Sequence, residues 1–224
     1  MRCGDASLGT SMHLELTDAP GSIHPAVIPA EYLLNRLIVI DASVMAQMNA
    51  TIVLSLEIAL QWFALKQDPQ EPTLLLFKFG WKPNHEYNRR NCVCKVPGLS
   101  YELAEWIAAN LSHVVGVATD APTLESEETR EFTARTVTNV FSRNGIYMIE
   151  NVNSKRFIPE RGCLVLSMPL KLINSNVVPV RLTAYCPSDR KSDRDIIVLK
   201  KMRRNKQMFP AKRLYDVNLE EILE

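Results

Sequence analysis

The chain has no apolar run long enough to cross a membrane and almost no net charge. Its longest apolar stretches, such as Leu37–Ile40 and Leu74–Phe77, are far shorter than a membrane span, which needs about 20 residues. The 26 basic and 25 acidic residues give a formal net charge of +1, so no overall field attracts nucleic acid or an anionic membrane. The sequence therefore predicts no membrane association and no general affinity for nucleic acid.

The chain also has few cysteines and no leader-like segment at its start. The five cysteines are scattered except for Cys92 and Cys94, whereas a disulfide framework is denser and more regular. Cys163 and Cys186 flank apolar segments, which predicts small core residues. Residues 1–18 contain acids and no apolar core of a secretory signal. These observations predict a cytoplasmic location.

What the sequence does contain is enough apolar residues for one sizeable core, since 46% of 224 residues are hydrophobic. Short, β-branched apolar runs predict strands; they are Leu37–Ile40, Thr73–Phe79, Val114–Val117, Ile146–Ile149, Leu164–Leu166 and Val178–Ala184. Apolar residues at spacings of three and four predict one helix from Ser55 to about Lys66 and another over Tyr101–Leu111. The fold class is α/β, a mixed sheet with few helices.

The domain organisation is simple, because no internal repeat or low-complexity linker interrupts the chain. Residues 1–190 are expected to form a single domain, in which 1–30 is a loop region rich in glycine and proline. Residues 191–224 are a basic-then-acidic extension. Its run Lys200–Lys206 resembles a nucleic-acid patch in composition, but it has no interleaved aromatics. A solvated extension is favoured and nucleic-acid binding is the weaker alternative.

Short motifs from Phe79 onward carry more information than periodicity. They follow one another in order, as Phe79-Gly80-Trp81, Pro97-Gly98-Leu99-Ser100, Asp120-Ala121-Pro122, Asn144-Gly145-Ile146-Tyr147, Ile149-Glu150-Asn151, Arg161-Gly162, Pro169-Leu170-Lys171 and Pro179-Val180-Arg181. In sequence and spacing this set resembles the cyclase family of metal-dependent amide hydrolases, the kynurenine formamidase-like proteins. The resemblance runs from about residue 18 to 184.

The resemblance implies a swivelling β/β/α fold assembled as a homodimer. It also implies one or two divalent ions, often zinc, in an active site that hydrolyses the formamide of N-formylkynurenine, a step of tryptophan catabolism, or cleaves related cyclic amides. Metal-bound water is the nucleophile in such chemistry, because the ion lowers the pKa of that water and polarises the carbonyl. The ligands expected for such an ion are neutral imidazoles and carboxylates.

This chain departs from the family's first metal motif, His-x-Gly-Thr-His-x-Asp-x-Pro-x-His. Aligned on Gly9-Thr10, it has Ser7 and Ser11 in place of the two histidines. The alternative alignment on Asp18-Ala19-Pro20 places Met12, Leu16 and Ser22 at histidine positions. Family members also carry additional strands before this motif, so these N-terminal strands are expected to be missing here.

The second metal-ligand segment departs in the same way. The family has a histidine twelve residues before the glutamate of Ile-Glu-Asn, and counting back from Glu150 gives Thr138. A threonine hydroxyl is a poor zinc ligand at neutral pH. The carboxylates Asp18 and Glu150 remain, and without imidazoles they suit a harder ion such as magnesium or manganese better than zinc.

Two hypotheses about activity stay open. In the first, no catalytic residue set is intact and the chain is a catalytically impaired family member that acts by binding or dimerisation. In the second, His13 and His24, which bracket Asp18, join it and Glu150 to hold zinc or manganese, and the chain hydrolyses a small-molecule amide. The simpler interpretation of His13 and His24 is that they are ordinary loop residues.

One further cysteine pair suggests a metal site but only weakly. Cys92-x-Cys94 has His85 nearby, yet zinc-binding cysteines are usually two to four residues apart and need further ligands. A solvated loop is the favoured interpretation of this segment.

Overall fold

The structure, a computed structural model, describes residues 9–14, 24–61, 71–81, 96–126, 128–129, 135–172 and 175–187. Within these ranges the strands are β1 Ser11–His13, β2 Leu34–Asp41, β3 Val53–Leu54, β4 Thr73–Lys78, β5 Gly98–Leu99, β6 Val114–Thr119, β7 Tyr147–Glu150, β8 Cys163–Pro169 and β9 Val177–Tyr185. The helices in the same ranges are α1 Ser43–Met48, α2 Leu56–Ala59, α3 Tyr101–Asn110 and α4 Val137–Arg143.

Seven of the strands form a closed barrel in the order β1-β7-β6-β4-β2-β8-β9. The strands β2, β4, β6 and β7 pair in parallel, and β8 and β9 form an antiparallel hairpin on the other side of β2. The short strand β1 closes the barrel, because it pairs antiparallel with both β7 and β9. The remaining strands β3 and β5 form a separate parallel pair.

The parallel strands are buried on both faces, which explains why their sequences are continuous apolar runs. Alternate residues such as Leu37 and Val39 enter an inner core inside the barrel together with Tyr147 and Ile149. The residues between them, such as Ile38, enter an outer core. There the helices α3 and α4 contribute most of the cover, through residues such as Leu103, Ile107 and Phe141.

Local signals explain where the main helix begins. Ser100 lies directly before α3, and its hydroxyl accepts a hydrogen bond from the Leu103 N–H at 3.2 Å, which satisfies one of the free donors of the first turn. Glu102 lies in that first turn, where the helix dipole favours an anion. The helix buries Leu103 and Ile107 completely.

All six predicted strands are present: β2, β6, β8 and β9 are longer than predicted, β4 ends one residue earlier, and β7 is shifted by one residue. The helix expected from Ser55 to about Lys66 is wrong in extent, because α2 ends at Ala59 and Gln61 is already in a turn. The assignment of residues 1–30 to a loop region is also wrong at β1, and His13 is therefore a buried strand residue. The helices α1 and α4 were not predicted. The swivelling description of the fold stays a prediction.

The prediction of small core residues is confirmed for Cys163, which is buried in the inner core, and is wrong for Cys186, which is exposed. Their Sγ atoms form a disulfide bond, and only Cys163 is buried. They are 23 positions apart in sequence, but the antiparallel pairing of β8 and β9 places them side by side. The structure also shows that no helix of the described residues is long and apolar enough to cross a membrane.

Candidate active site

The strand β1 places Ser11 and His13 next to the end of β7. Ser11 is paired with Glu150 in the antiparallel register, and Met12 is paired with Ile149. Because Met12 and Ile149 belong to the inner core, the alternation of a strand directs Ser11, His13 and Glu150 to the opposite face. This face forms the candidate site.

His13 and Glu150 are in contact across this face. The distance from His13 Nε2 to Glu150 Oε2 is 3.5 Å, and the two residues are only 7% and 8% exposed. The other carboxylate oxygen of Glu150, Oε1, accepts a hydrogen bond from the Leu124 N–H at 3.0 Å. A buried carboxylate needs such partners, because removing a charge from water is costly unless polar groups replace the water.

The residue after Glu150 anchors the start of β1. Asn151 has a φ of 57°, in the left-handed region that asparagine tolerates better than most residues. Its carbonyl accepts a hydrogen bond from the Thr10 hydroxyl at 2.8 Å, and the Thr10 carbonyl accepts from the Val180 N–H at 3.0 Å. Thr10 therefore connects the end of β7 with the first half of β9 beside the site.

Thr138 lies at the start of α4, and its hydroxyl is already engaged. Its Oγ1 donates to Glu125 Oε1 at 2.8 Å, and its N–H donates to the same oxygen at 2.8 Å. The Val137 N–H donates to Glu125 Oε2 at 3.1 Å. Since Glu150 binds the N–H of Leu124, Glu150 and Thr138 are held by two consecutive residues of one loop.

A second buried carboxylate, Asp120, organises the loops around this face. It accepts hydrogen bonds from the Phe79 N–H at 2.8 Å, the Gly80 N–H at 2.9 Å and the Ser154 hydroxyl at 2.6 Å. Burial raises the pKa of this carboxyl group, and these three donors offset part of the rise. Sequence reasoning quoted Asp120 only as part of a motif and assigned it no role.

The structure brings together two of the four predicted metal ligands. His13 and Glu150 are in contact, as described above, whereas His24 is half-buried directly before a short 3-10 helix, Pro25–Val27. Asp18 lies outside the described residues. So do Ser7, Cys92, Cys94, His85 and the basic run 200–206.

The donors in the described part of the chain do not fit the family's metal. Zinc needs three or four nitrogen, sulfur or carboxylate ligands, and no group of three or more histidine, cysteine, aspartate or glutamate side chains in the described ranges could hold an ion. The site residues Ser11 and Thr138 offer hydroxyl groups instead, and that of Thr138 donates to Glu125. The predicted zinc or manganese therefore stays a prediction that depends on residues outside the described ranges.

Solved structures of other proteins share this barrel. The chain is similar to isatin hydrolase A from Labrenzia aggregata bound to benzyl benzoate, with a TM-score of 0.70, 20% identity, and coverage of 80% of this chain and 73% of that one. For isatin hydrolase A from Ralstonia solanacearum the TM-score is 0.69 and the identity 20%, with coverage of 80% and 72%. At these identities the likeness shows that the chain shares the fold of the two isatin hydrolases.

A third structure extends the same likeness. It is a predicted metal-dependent hydrolase from Bacillus stearothermophilus, with a TM-score of 0.54, 19% identity, and coverage of 78% of this chain and 74% of that one. No curated protein matches the chain in sequence.

A family model identifies the chain more closely. The model described as "Putative cyclase" matches residues 10–126, which is more than half of the chain. The protein therefore belongs to the cyclase family, as its motifs predicted.

Proposed function

We propose that this chain is a cyclase-family relative of the kynurenine formamidase-like amide hydrolases whose own hydrolytic site is impaired. The observation that carries the proposal is the pairing of Ser11 with Glu150. In the alignment on Gly9-Thr10, Ser11 stands where the family motif has its second histidine and His13 stands where it has the aspartate. An imidazole is thus replaced by a hydroxyl directly beside the remaining carboxylate.

The environment of Thr138 supports the same proposal. This residue stands where the family has the histidine of its second metal-ligand segment, and its hydroxyl and N–H both donate to Glu125. The hydroxyl proton is therefore committed to stabilising the start of α4. A neutral hydroxyl is also a weak metal ligand, so Thr138 does not replace the lost imidazole.

A second candidate function rests on the contact between His13 and Glu150. Their 3.5 Å separation means that one imidazole and one carboxylate are already adjacent, as in a partial metal site. If Asp18 and His24 completed it, the chain would be an active amidohydrolase. This candidate requires both residues to approach the pair, and Asp18 lies outside the described residues.

Metal content separates the two candidates. The purified chain is incubated with zinc or manganese, freed of excess ion and subjected to elemental analysis, and hydrolysis of N-formylkynurenine and isatin is measured in parallel. The proposal predicts substoichiometric metal and no turnover above that of the His13→Ala variant. Stoichiometric metal and turnover that both disappear in His13→Ala and Asp18→Ala would instead establish the second candidate.

A reconstruction adds a positive control. The double variant Ser11→His, Thr138→His returns imidazoles to two positions and is expected to bind zinc more tightly than the parent. The matched control is Asn153→His, Asn176→His, which adds two histidines at exposed positions. If the control gained as much zinc as the reconstruction, the site assignment would be wrong.

We also propose that the chain is a homodimer, the state that its resemblance implies. The end of the β8–β9 hairpin exposes apolar side chains that a partner would cover; they are Met168, Leu170, Leu172 and Val177, exposed by 41 to 54%. Light scattering after size exclusion measures the mass directly. A monomer at micromolar concentration would refute this proposal without affecting the one about activity.

The cytoplasmic location stays a prediction.

A further inference from the structure

The disulfide between Cys163 and Cys186 lies where β8 begins and β9 ends, at the opposite end of the hairpin from the exposed residues Met168 and Leu170. The pairing of these strands runs from Pro169 opposite Val180 to Leu164 opposite Tyr185. Cys163 and Cys186 are the next facing pair, and their Cα atoms are 4.2 Å apart. This separation is close to that of facing residues in a non-hydrogen-bonded antiparallel pair, so the bond continues the ladder by one step.

The two cysteines differ sharply in access to solvent. Cys163 is 1% exposed, belongs to the inner core and is paired with Leu37 of β2. Cys186 is exposed. A reagent in solution therefore reaches the bond from the side of Cys186, whereas Cys163 can react only with its bonded neighbour.

The strand β9 is held unequally along its length. Its first residues, Val177–Pro179, pair with β1 on one side, and Pro179 also accepts a hydrogen bond from the Leu170 N–H. Among the strands that the structure describes, its last residues, from Arg181 to Tyr185, pair only with β8. The disulfide therefore secures the end of β9 that has pairing on one side alone, and residues 187–224 continue from this point.

We propose that Cys163 and Cys186 are a reversible redox site. A small-molecule disulfide such as oxidised glutathione closes it and fixes the end of β9, and a thiol reductant opens it. In a reducing compartment, such as the cytoplasm that the sequence predicts, protein disulfides that form are usually transient and redox-responsive. The proposal does not depend on the site formed by Ser11, His13 and Glu150.

The exchange balances without any further reactant. The Cys186 thiolate attacks the small-molecule disulfide, forms a mixed disulfide and releases one thiolate. The Cys163 thiolate then attacks Cys186 Sγ and releases a second thiolate, which is the usual course of thiol–disulfide exchange. Both cysteines lose a proton and one electron each, and the small molecule is reduced to two thiols.

The test uses the full chain with the other three cysteines replaced, Cys3→Ser, Cys92→Ser and Cys94→Ser. Oxidised glutathione is expected to leave no free thiol under denaturing conditions, and dithiothreitol to leave two. Reduction is expected to lower Tm by about 6–12 °C, because a closed loop of this length restricts the unfolded chain. Two persistent thiols in oxidised glutathione, or an unchanged Tm, would overturn the proposal.

A matched variant and a local measurement complete the test. Adding Cys186→Ser changes only an exposed side chain, and its Tm should equal that of the reduced parent with or without reductant. Amide hydrogen exchange should accelerate on reduction at residues 182–185 but not at 177–179, which β1 also holds. Equal acceleration at both ends of β9 would show general loosening and would refute the specific role of the disulfide.

Discussion

The phenol of Tyr147 is fully buried inside the barrel, so its hydroxyl group depends on partners from the protein. It donates to the Tyr32 carbonyl at 3.0 Å and accepts from Asn35 Nδ2 at 2.6 Å. Burial raises the pKa of this hydroxyl well above its usual range, because the charged form has no water around it. The ring also explains Gly116, where an added Cβ would lie 2.3 Å from Tyr147 Cε2.

Replacing this hydroxyl tests its contribution. Tyr147→Phe should lower the free energy of unfolding by about 1–3 kcal/mol, because Asn35 and the Tyr32 carbonyl lose a buried partner. Chemical denaturation measures the loss. The control is Tyr185→Phe, since Tyr185 is 57% exposed and should change stability by less than about 0.5 kcal/mol. Equal effects of both changes would contradict the importance of the buried network.

At the scale of single elements, a carboxylate from a distant loop stabilises α4. The sequence of this helix, Val137–Arg143, contains β-branched residues and other weak helix formers. Its first N–H groups are satisfied by Thr136 Oγ1 and by Glu125, which lies 12 and 13 positions before its two partners. Local periodicity could not predict α4, because part of its stabilisation comes from outside the helix.

Neutralising this carboxylate should weaken the helix. Glu125→Gln is expected to lower the free energy of unfolding by about 1–2 kcal/mol, because an amide replaces an oxygen that accepts from a backbone N–H. Circular dichroism during urea unfolding provides the measurement. Glu128→Gln, at an exposed glutamate three residues further along the chain, is the matched control and should behave like the parent chain.

The start of α1 is also stabilised by a carboxylate, and this stabilisation should depend on pH. Asp41, at the end of β2, accepts from the Ser43 N–H at the start of α1 and from Lys78 Nζ of β4 at 2.7 Å. Burial raises the pKa of Asp41, but these hydrogen bonds outweigh it and hold the pKa below its usual 3.8. The stabilisation is therefore present above pH 3.8 and lost as the pH falls through the lower folded value.

Asp41→Asn should thus cost about 0.5 kcal/mol at pH 7, a modest value because the pair is partly solvated. The difference from the parent chain should shrink toward zero in acid, as urea titrations at a series of pH values would show. Lys78→Met should lose the same acid-dependent part of the free energy of unfolding. Glu57→Gln, at an exposed position on α2, should leave the pH profile unchanged.

The parts of the fold that the sequence predicted are those with a strong local signal. Continuous apolar runs predicted β2, β4 and β6, because these strands are buried on both faces. The three residues of β1 carry too little pattern to predict a strand, and its pairing partners lie far along the chain. Resemblance to a family identified Glu150 as a site residue, whereas the contact of His13 with it depends on this long-range pairing.

At the scale of the whole molecule, β1 is the strand that closes the barrel. Met12, its central residue, is completely buried in the inner core. Met12→Ala should therefore lower the global free energy of unfolding by about 2–5 kcal/mol. Met48→Ala, at a residue that is 80% exposed, is the control. Urea unfolding measures the loss, and its cooperativity should be unchanged. If Met12→Ala lowered the free energy of unfolding by under about 0.5 kcal/mol, β1 would not support the barrel.

The position of β1 also determines when the barrel can close during synthesis. Thr10 and its partner Asn151 are 141 positions apart, and β9, the other neighbour of β1, is later still. On the ribosome, the first strand must wait until nearly the whole barrel has been translated. Ser11 and His13 therefore have no Glu150 to contact until most strands of the barrel have been synthesised, and a nascent chain stopped before residue 150 has no site at all.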